Sequence, residues 1–441
     1  MSENYISRFI DEDLQEWAGD KNRKPLLLRG ARQVGKTSAV RKLAESFENY
    51  MEVNFEEHPE VHKFFENNLS PDEIIENLSV YFNIQVKENK TLVFFDEIQS
   101  CRKALLSLRY FYEKKPVLHL IAAGSLLEFA IQSMPSYGIG RIRSMFMFPF
   151  TFDEFLMAIG EESLLKKRKT YGVNMPLNEV FHNKLVRLLK KFIILGGMPE
   201  VVKKYAEGEN IIACQRVLGD LVISYLDDFA KYKTNVPASR ISEVFRSVVH
   251  QMGNKFVYSR VSADTKHHQI KDALELLIKA GLVITATHSS GNGIPLGAEI
   301  KPTLRKMLPF DTGIALYIAG ADIKELLVQD DVDFIHKGAV AELFAGLEIL
   351  KASSPYKRNE LFYWQREALN SSAEVDYLIQ KGNKIVPVEV KAGTKGSMQS
   401  LFLFLNEKNI TKGIRLSLEN FGKYDRVEVI PLYAVRDFFH E

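Results

Sequence analysis

One short segment constrains this chain more than any other. Gly30-Ala31-Arg32-Gln33-Val34-Gly35-Lys36-Thr37 fits G-x-x-x-x-G-K-[ST] at every fixed position. An apolar run, Leu26-Leu27-Leu28, precedes it, and a helical stretch, Ser38–Phe47, follows. Strand, glycine-rich turn and helix in that order form an anion cradle. Small residues let successive backbone N–H groups curl around phosphate oxygens, and the helix points its positive N-terminus at them. The segment therefore predicts a site for ATP with Mg²⁺. The residues meeting nucleotide would be Gly30, Arg32, Gln33, Val34, Gly35, Lys36, Thr37 and Ser38. Lys36 would reach the β- and γ-phosphates, and the Thr37 hydroxyl would ligate Mg²⁺.

A site of this kind needs an acidic second half. Leu92-Val93-Phe94-Phe95 reads as a buried strand that ends on Asp96-Glu97. Asp96 is placed to hold Mg²⁺ through water, and Glu97 to polarise an attacking water as a general base. Ser125, in Ala123-Gly124-Ser125, closes the next apolar run. Its hydroxyl serves either as a γ-phosphate sensor or as a plain helix N-cap. Arg32 and Arg141 are the candidates for a charge that stabilises the transferring phosphoryl group.

Short apolar runs alternate with amphipathic stretches: Pro25–Arg29, Met51–Phe55, Thr91–Phe95, Val117–Ala123 and Arg143–Phe148. Such alternation predicts an α/β fold, its parallel sheet buried on both faces. The pattern turns helical from Phe152, with Val180, Leu185, Leu188, Leu189, Phe192 and Ile193 on one stripe. Gly196-Gly197-Met198-Pro199 ends that helix and reads as a hinge. Two helices and a glycine-tipped hairpin at Ser289–Gly293 then give the outline of a winged helix. The chain has 441 residues, which at about 150 per domain implies some three domains. The expected division is an ATPase core (1–158), a helical segment (159–236), a winged helix (237–325) and a C-terminal α/β domain (326–441).

Taken in order, Gly30–Thr37, Phe95-Asp96-Glu97, Gly140-Arg141 and Pro149–Phe155 resemble the AAA-superfamily ATPases of bacteria and archaea. Gly197-Met198-Pro199-Glu200 and Asp311-Thr312-Gly313 resemble elements of the subgroup with a C-terminal region of unknown function. That resemblance implies ATP binding, a winged helix and a C-terminal nuclease-like fold.

The C-terminal residues carry their own signal. Asp376 lies in one strand, and Glu389 and Lys391 alternate onto one face of the next, across Lys381-Gly382-Asn383. Glu342 sits on the preceding helix. The set is similar to the D…E-x-K core of the restriction-endonuclease-like fold. It implies a second divalent cation that orients water against a phosphodiester.

Lys266, His267, His268, Gln269 and Lys271 lie on or before the second helix of the predicted winged helix, as candidates for DNA contact. The formal net charge is only +2, which argues against a dedicated nucleic-acid binder. Two readings follow: an ATPase coupled to DNA binding or processing, or an ATP-gated switch acting on an unidentified protein partner with a silent nuclease-like domain. Cys101 and Cys214 are far apart and in no metal-binding spacing, so a reducing, cytoplasmic setting is expected. The longest apolar run is too short to span a bilayer. Oligomeric state is not encoded in any single motif.

Overall fold

The structure is a computed structural model. It describes residues 5–66, 69–125, 127–132, 140–229, 236–262, 265–321, 338–368, 371–393 and 396–439. The chain divides into two compact units, residues 1–149 with 355–358, and residues 150–354 with 359–441.

The first unit opens with α1 (Ile10–Gly19). Five strands follow: β1 (Leu26–Arg29), β2 (Asn49–Asn54), β3 (Thr91–Asp96), β4 (His119–Ala123) and β5 (Arg143–Phe146). They form one sheet in the order β2-β3-β4-β1-β5, parallel at every pairing. The connecting helices are α2 (Lys36–Ala44), α3 (Pro71–Phe82), α4 (Arg102–Lys114) and α5 (Leu127–Gln132). Leu26, Leu27 and Leu28 are fully buried, as are Leu92–Phe95. Each such side chain contributes roughly 1.5–3 kcal/mol by leaving water. All five apolar runs became strands because a parallel sheet covered on both faces accepts apolar side chains in either direction.

The second unit begins with helices α6 (Phe152–Ala158), α7 (Glu162–Arg168), α8 (Glu179–Leu195), α9 (Pro199–Ala206), α10 (Ile211–Asp228), α11 (Ala238–His250) and α12 (His267–Lys279). Thr151 and Glu154 form a reciprocal capping box at the start of α6. On α8, Leu185, Leu189, Phe192 and Ile193 face the core, but Val180 is 72% exposed. His182 takes its place on the inward face, with Nδ1 3.0 Å from the Tyr433 hydroxyl.

Then come β6 (Val283–Ser289), β7 (Ile300–Pro309), α13 (Thr312–Ile318), α14 (Gly338–Ala352), β8 (Leu361–Gln365), β9 (Glu374–Lys381) and β10 (Lys384–Val390). The chain finishes with α15 (Gln399–Glu407), β11 (Gly413–Ser417), β12 (Gly422–Tyr424), β13 (Val427–Pro431) and α16 (Val435–Phe439). The eight strands β6–β13 form a single mixed sheet, in the order β12-β13-β11-β10-β9-β8-β6-β7. The β6–β7 hairpin is therefore the edge of the C-terminal sheet, joined by the parallel pairing of β6 with β8. Pro387 is tolerated in β10 because pairing with β11 starts one residue later, at Val388.

Gly197 is not a free hinge. Its N–H donates to Asp311 Oδ2 at 2.6 Å, and its carbonyl accepts from Phe150 N–H at 2.7 Å. Asp311 Oδ1 also caps α13 through Ile314 N–H at 3.0 Å. Gly196 has φ +74°, and a Cβ there would lie 2.1 Å from Asp311 Oδ1. The glycines are needed because three segments distant in sequence close on one another at backbone distance.

Candidate functional site

β1 delivers the phosphate loop to the C-terminal edge of the parallel sheet, where β3 delivers its acids. The loop carries three residues in left-handed or adjoining backbone: Gly30 (φ +152°), Gln33 (φ +62°) and Gly35 (φ +99°). A Cβ on Gly30 would lie 2.2 Å from the Met147 carbonyl oxygen, so only glycine fits. Gly35 starts α2, leaving the first helical N–H groups pointing into the loop. Val34 is buried beneath it, Arg32 is half-buried, and Gln33 and Ser38 are exposed.

Lys36 is buried and donates to the carbonyls of Gly30 (3.1 Å) and Ala31 (2.7 Å). Burial pulls its ammonium down to about 8, against the opposing pull of Glu97 and Asp96. Thr37 Oγ1 donates to Asp96 Oδ2 at 2.9 Å, and Asp96 Oδ1 accepts from Glu97 N–H at 3.0 Å. Burial pushes the Asp96 carboxyl up to about 6. A hydroxyl and a carboxylate oxygen held together are hard donors of the kind Mg²⁺ takes. Glu97 stands next to them at φ +48°, a left-handed position rare for a residue with a side chain.

Two residues at this site carry no sequence signal. Gln99 Nε2 donates to Glu97 Oε2 at 2.6 Å. Arg8, buried and upstream of the loop, donates to the Val34 carbonyl at 3.3 Å and to Phe148 at 2.8 Å. Ser125 follows the C-terminal end of β4, the edge that carries the phosphate loop and Asp96.

Arg141 departs from expectation. It precedes β5, whose Arg143 is level with Leu26 at the start of β1. The phosphate loop follows the end of β1, so Arg141 lies at the opposite edge of the sheet. At about 3.3 Å per residue a four-residue strand separates them by more than 10 Å. The guanidinium is instead 2.5 Å from Glu113 on α4. Within its own chain, Arg141 does not reach the phosphate site.

In the second unit, β9, β10 and α14 bring Asp376, Glu389, Lys391 and Glu342 to one end of the mixed sheet. Lys391 Nζ is 2.6 Å from Glu389 Oε1, and Asp376 Oδ2 accepts from Val390 N–H at 2.7 Å. A residue absent from the sequence expectation sits among them: Lys306, from β7. Its buried ammonium lies 2.7 Å from Glu342 Oε1 and 3.9 Å from Asp376 Oδ1, and is paired with Glu374. Burial raises Glu342 to about 8 and Glu389 to about 7. The neighbouring carboxylates hold Lys306 well above the usual lysine range despite its burial. Among the described residues, no group of three or more His, Cys, Asp or Glu is arranged to hold a metal ion.

Lys266, His267, His268, Gln269 and Lys271 are all exposed at the start of α12, with the His267 ring 4.3 Å from that of Tyr258. Cys101 and Cys214 are both buried thiols without a disulfide. No described helix is long and apolar enough to cross a membrane.

The family described as an AAA domain matches residues 22–156, and two domains of unknown function match residues 186–325 and 337–435. No curated protein matches the sequence. Among solved structures, the chain is similar to the Walker-type ATPase PABY2304 of Pyrococcus abyssi, at 16% identity and a TM-score of 0.45. That alignment covers 72% of this chain and 97% of the other. It is also similar to the Aeropyrum pernix Orc1 protein in complex with DNA, at 13% identity and a TM-score of 0.32, covering 73% and 95%. A RuvB variant of Thermotoga maritima follows at 14% identity and a TM-score of 0.27, covering 62% and 87%. Likenesses this distant say nothing of what this chain binds. Over residues 22–156 the chain is similar to the AAA domain family, and its strand–loop–helix cradle facing an acidic strand end is that of a P-loop fold.

Proposed function

We propose that the chain binds ATP with Mg²⁺ in the loop Gly30–Thr37 and hydrolyses it. Lys36 meets the β- and γ-phosphates, Thr37 and Asp96 hold Mg²⁺, and Glu97 polarises the attacking water. Bound Mg²⁺ would neutralise charge building on the transferring phosphoryl group. The observation that carries this reading is the 2.9 Å contact between Thr37 and Asp96. It joins the two halves of the site on the residues that a metal ion would bridge. Gln33, Val34 and Ser38 line the loop, and Ser125 stands beyond β4 as a γ-phosphate sensor. Arg141 acts on phosphate only if a second copy of the chain presents it.

The finer division is part of the same proposal: an ATPase core (1–158), a helical segment (159–236), a winged helix (237–325) and a nuclease-like domain (326–441). ATP turnover would be coupled to DNA held by the exposed face from Lys266 to Lys271. A second reading, an ATP-gated switch for a protein partner with a silent nuclease-like domain, is favoured by Lys306, whose charge already neutralises the C-terminal carboxylates. Steady-state ATP hydrolysis with and without double-stranded DNA separates the two. Stimulation of several-fold at low salt supports DNA coupling. Hydrolysis indifferent to DNA, with no DNA retained by the protein, supports the switch.

A further inference from the structure

The Lys306 ammonium has three N–H donors, and three carboxylates stand around it. Glu342 Oε1 is at 2.7 Å, Asp376 Oδ1 at 3.9 Å, and Glu374 is in direct contact. The Tyr363 ring closes another side, its centroid 5.2 Å from the nitrogen. Lys306 is 2% exposed and is paired with Ala286 in the regular part of the β6–β7 ladder, so its charge is held away from solvent. Two carboxylates in direct contact and a third at ion-pair distance thus surround a monovalent cation with the acids that a divalent ion would require.

The remaining oxygens do not make a second shell. Asp376 Oδ2 is taken by Val390 N–H, and Glu389 Oε1 by Lys391. Glu389 Oε2 is buried without a hydrogen-bond partner. With Lys306 drawing on Glu342, Glu374 and Asp376, the cluster offers few oxygens toward the six or so ligands a hard divalent ion takes. A buried ammonium beside Asp376 would also repel a second cation.

We propose that Lys306 is the resident cation of the C-terminal carboxylate cluster, tethered where a divalent ion would sit, so that the cluster takes no divalent metal. This deepens the reading of a silent nuclease-like domain and is independent of ATP hydrolysis. The tether comes from the β6–β7 hairpin, so the same lysine also fastens that hairpin to α14 and β9.

The test is a titration of the nucleotide-free full chain with Mn²⁺, read from the electron paramagnetic resonance of the free ion. Wild type and Asp376→Asn should bind Mn²⁺ identically, with any Mn²⁺ lost only on Asp96→Asn. Lys306→Met, shown folded by its melting transition, should gain one Mn²⁺ per chain, and Asp376→Asn in the same chain should abolish that gain. A wild-type Mn²⁺ site that disappears in Asp376→Asn overturns the proposal, and so does a folded Lys306→Met that gains none. If Lys306→Met does not fold, the comparison of wild type with Asp376→Asn decides alone. A chain inactive on ATP would leave every arm of the test readable.

Discussion

Substituting Gly124 by alanine should slow ATP hydrolysis without weakening ATP binding. Gly124 follows β4, and the Gln99 amide lies directly over it. A Cβ at this position would lie 1.9 Å from Gln99 Oε1 and 3.2 Å from Cγ of Leu127, which is buried and cannot yield easily. The amide must therefore move, and with it goes the 2.6 Å hydrogen bond that holds Glu97. Hydrogen bonds to a charged group contribute about 1.5–3 kcal/mol. Glu97 is only half-buried, so the lower end applies, and about 1.4 kcal/mol is a tenfold change in rate. Steady-state phosphate release across ATP concentrations should show kcat down about tenfold and KM unchanged. Gln99→Ala should show the same loss, and the double variant should be no worse than either single one, because all three remove one interaction. Additive losses, or a rise in KM with kcat intact, would refute the idea that Gln99 positions Glu97.

Lys36→Ala should abolish detectable binding of fluorescent ATP while the melting temperature stays near that of wild type. The pH dependence of kcat/KM should be bell-shaped. Asp96, raised to about 6 by burial, takes up a proton and loses Mg²⁺ as pH falls through that value. Lys36, lowered to about 8, loses its charge as pH rises through it. A flat profile between pH 5 and 9 would contradict both assignments. Asp311→Ala leaves the buried N–H groups of Gly197 and Ile314 without an acceptor. At about 1–3 kcal/mol each, a total near 3 kcal/mol should appear as a lower urea midpoint. Asp311→Asn should recover part of it, and a loss below about 1 kcal/mol would show the lock to be unimportant.

What the sequence revealed was local, and what it hid was long-range. The phosphate loop and the strand ending in Asp96 are legible because backbone geometry and charge at these positions are set by neighbours in sequence. The five apolar runs are legible because a sheet buried on both faces leaves no polar alternation to confuse the pattern. The edge on which Arg141 falls is not legible from Gly140-Arg141 itself, because it depends on the pairing of β5 with β1. Gly197 read as a hinge because glycine permits both freedom and close approach; Asp311, more than a hundred residues later, decides for the second. Lys306 carries no signal in the sequence. Its partners Glu342, Glu374 and Asp376 come from α14 and β9, and only the joining of the β6–β7 hairpin to the C-terminal sheet brings them together. Arg8 and Gln99 likewise act through contacts that no motif spacing records.

The most direct test of the central claim is Mg²⁺-dependent phosphate release by wild type and by Glu97→Gln, with ATP binding measured on the same samples. Turnover in wild type, with binding retained and turnover lost in Glu97→Gln, is the expected result. Equal turnover in the two proteins would remove Glu97 as the base, and absence of ATP binding in wild type would contradict the account at its root.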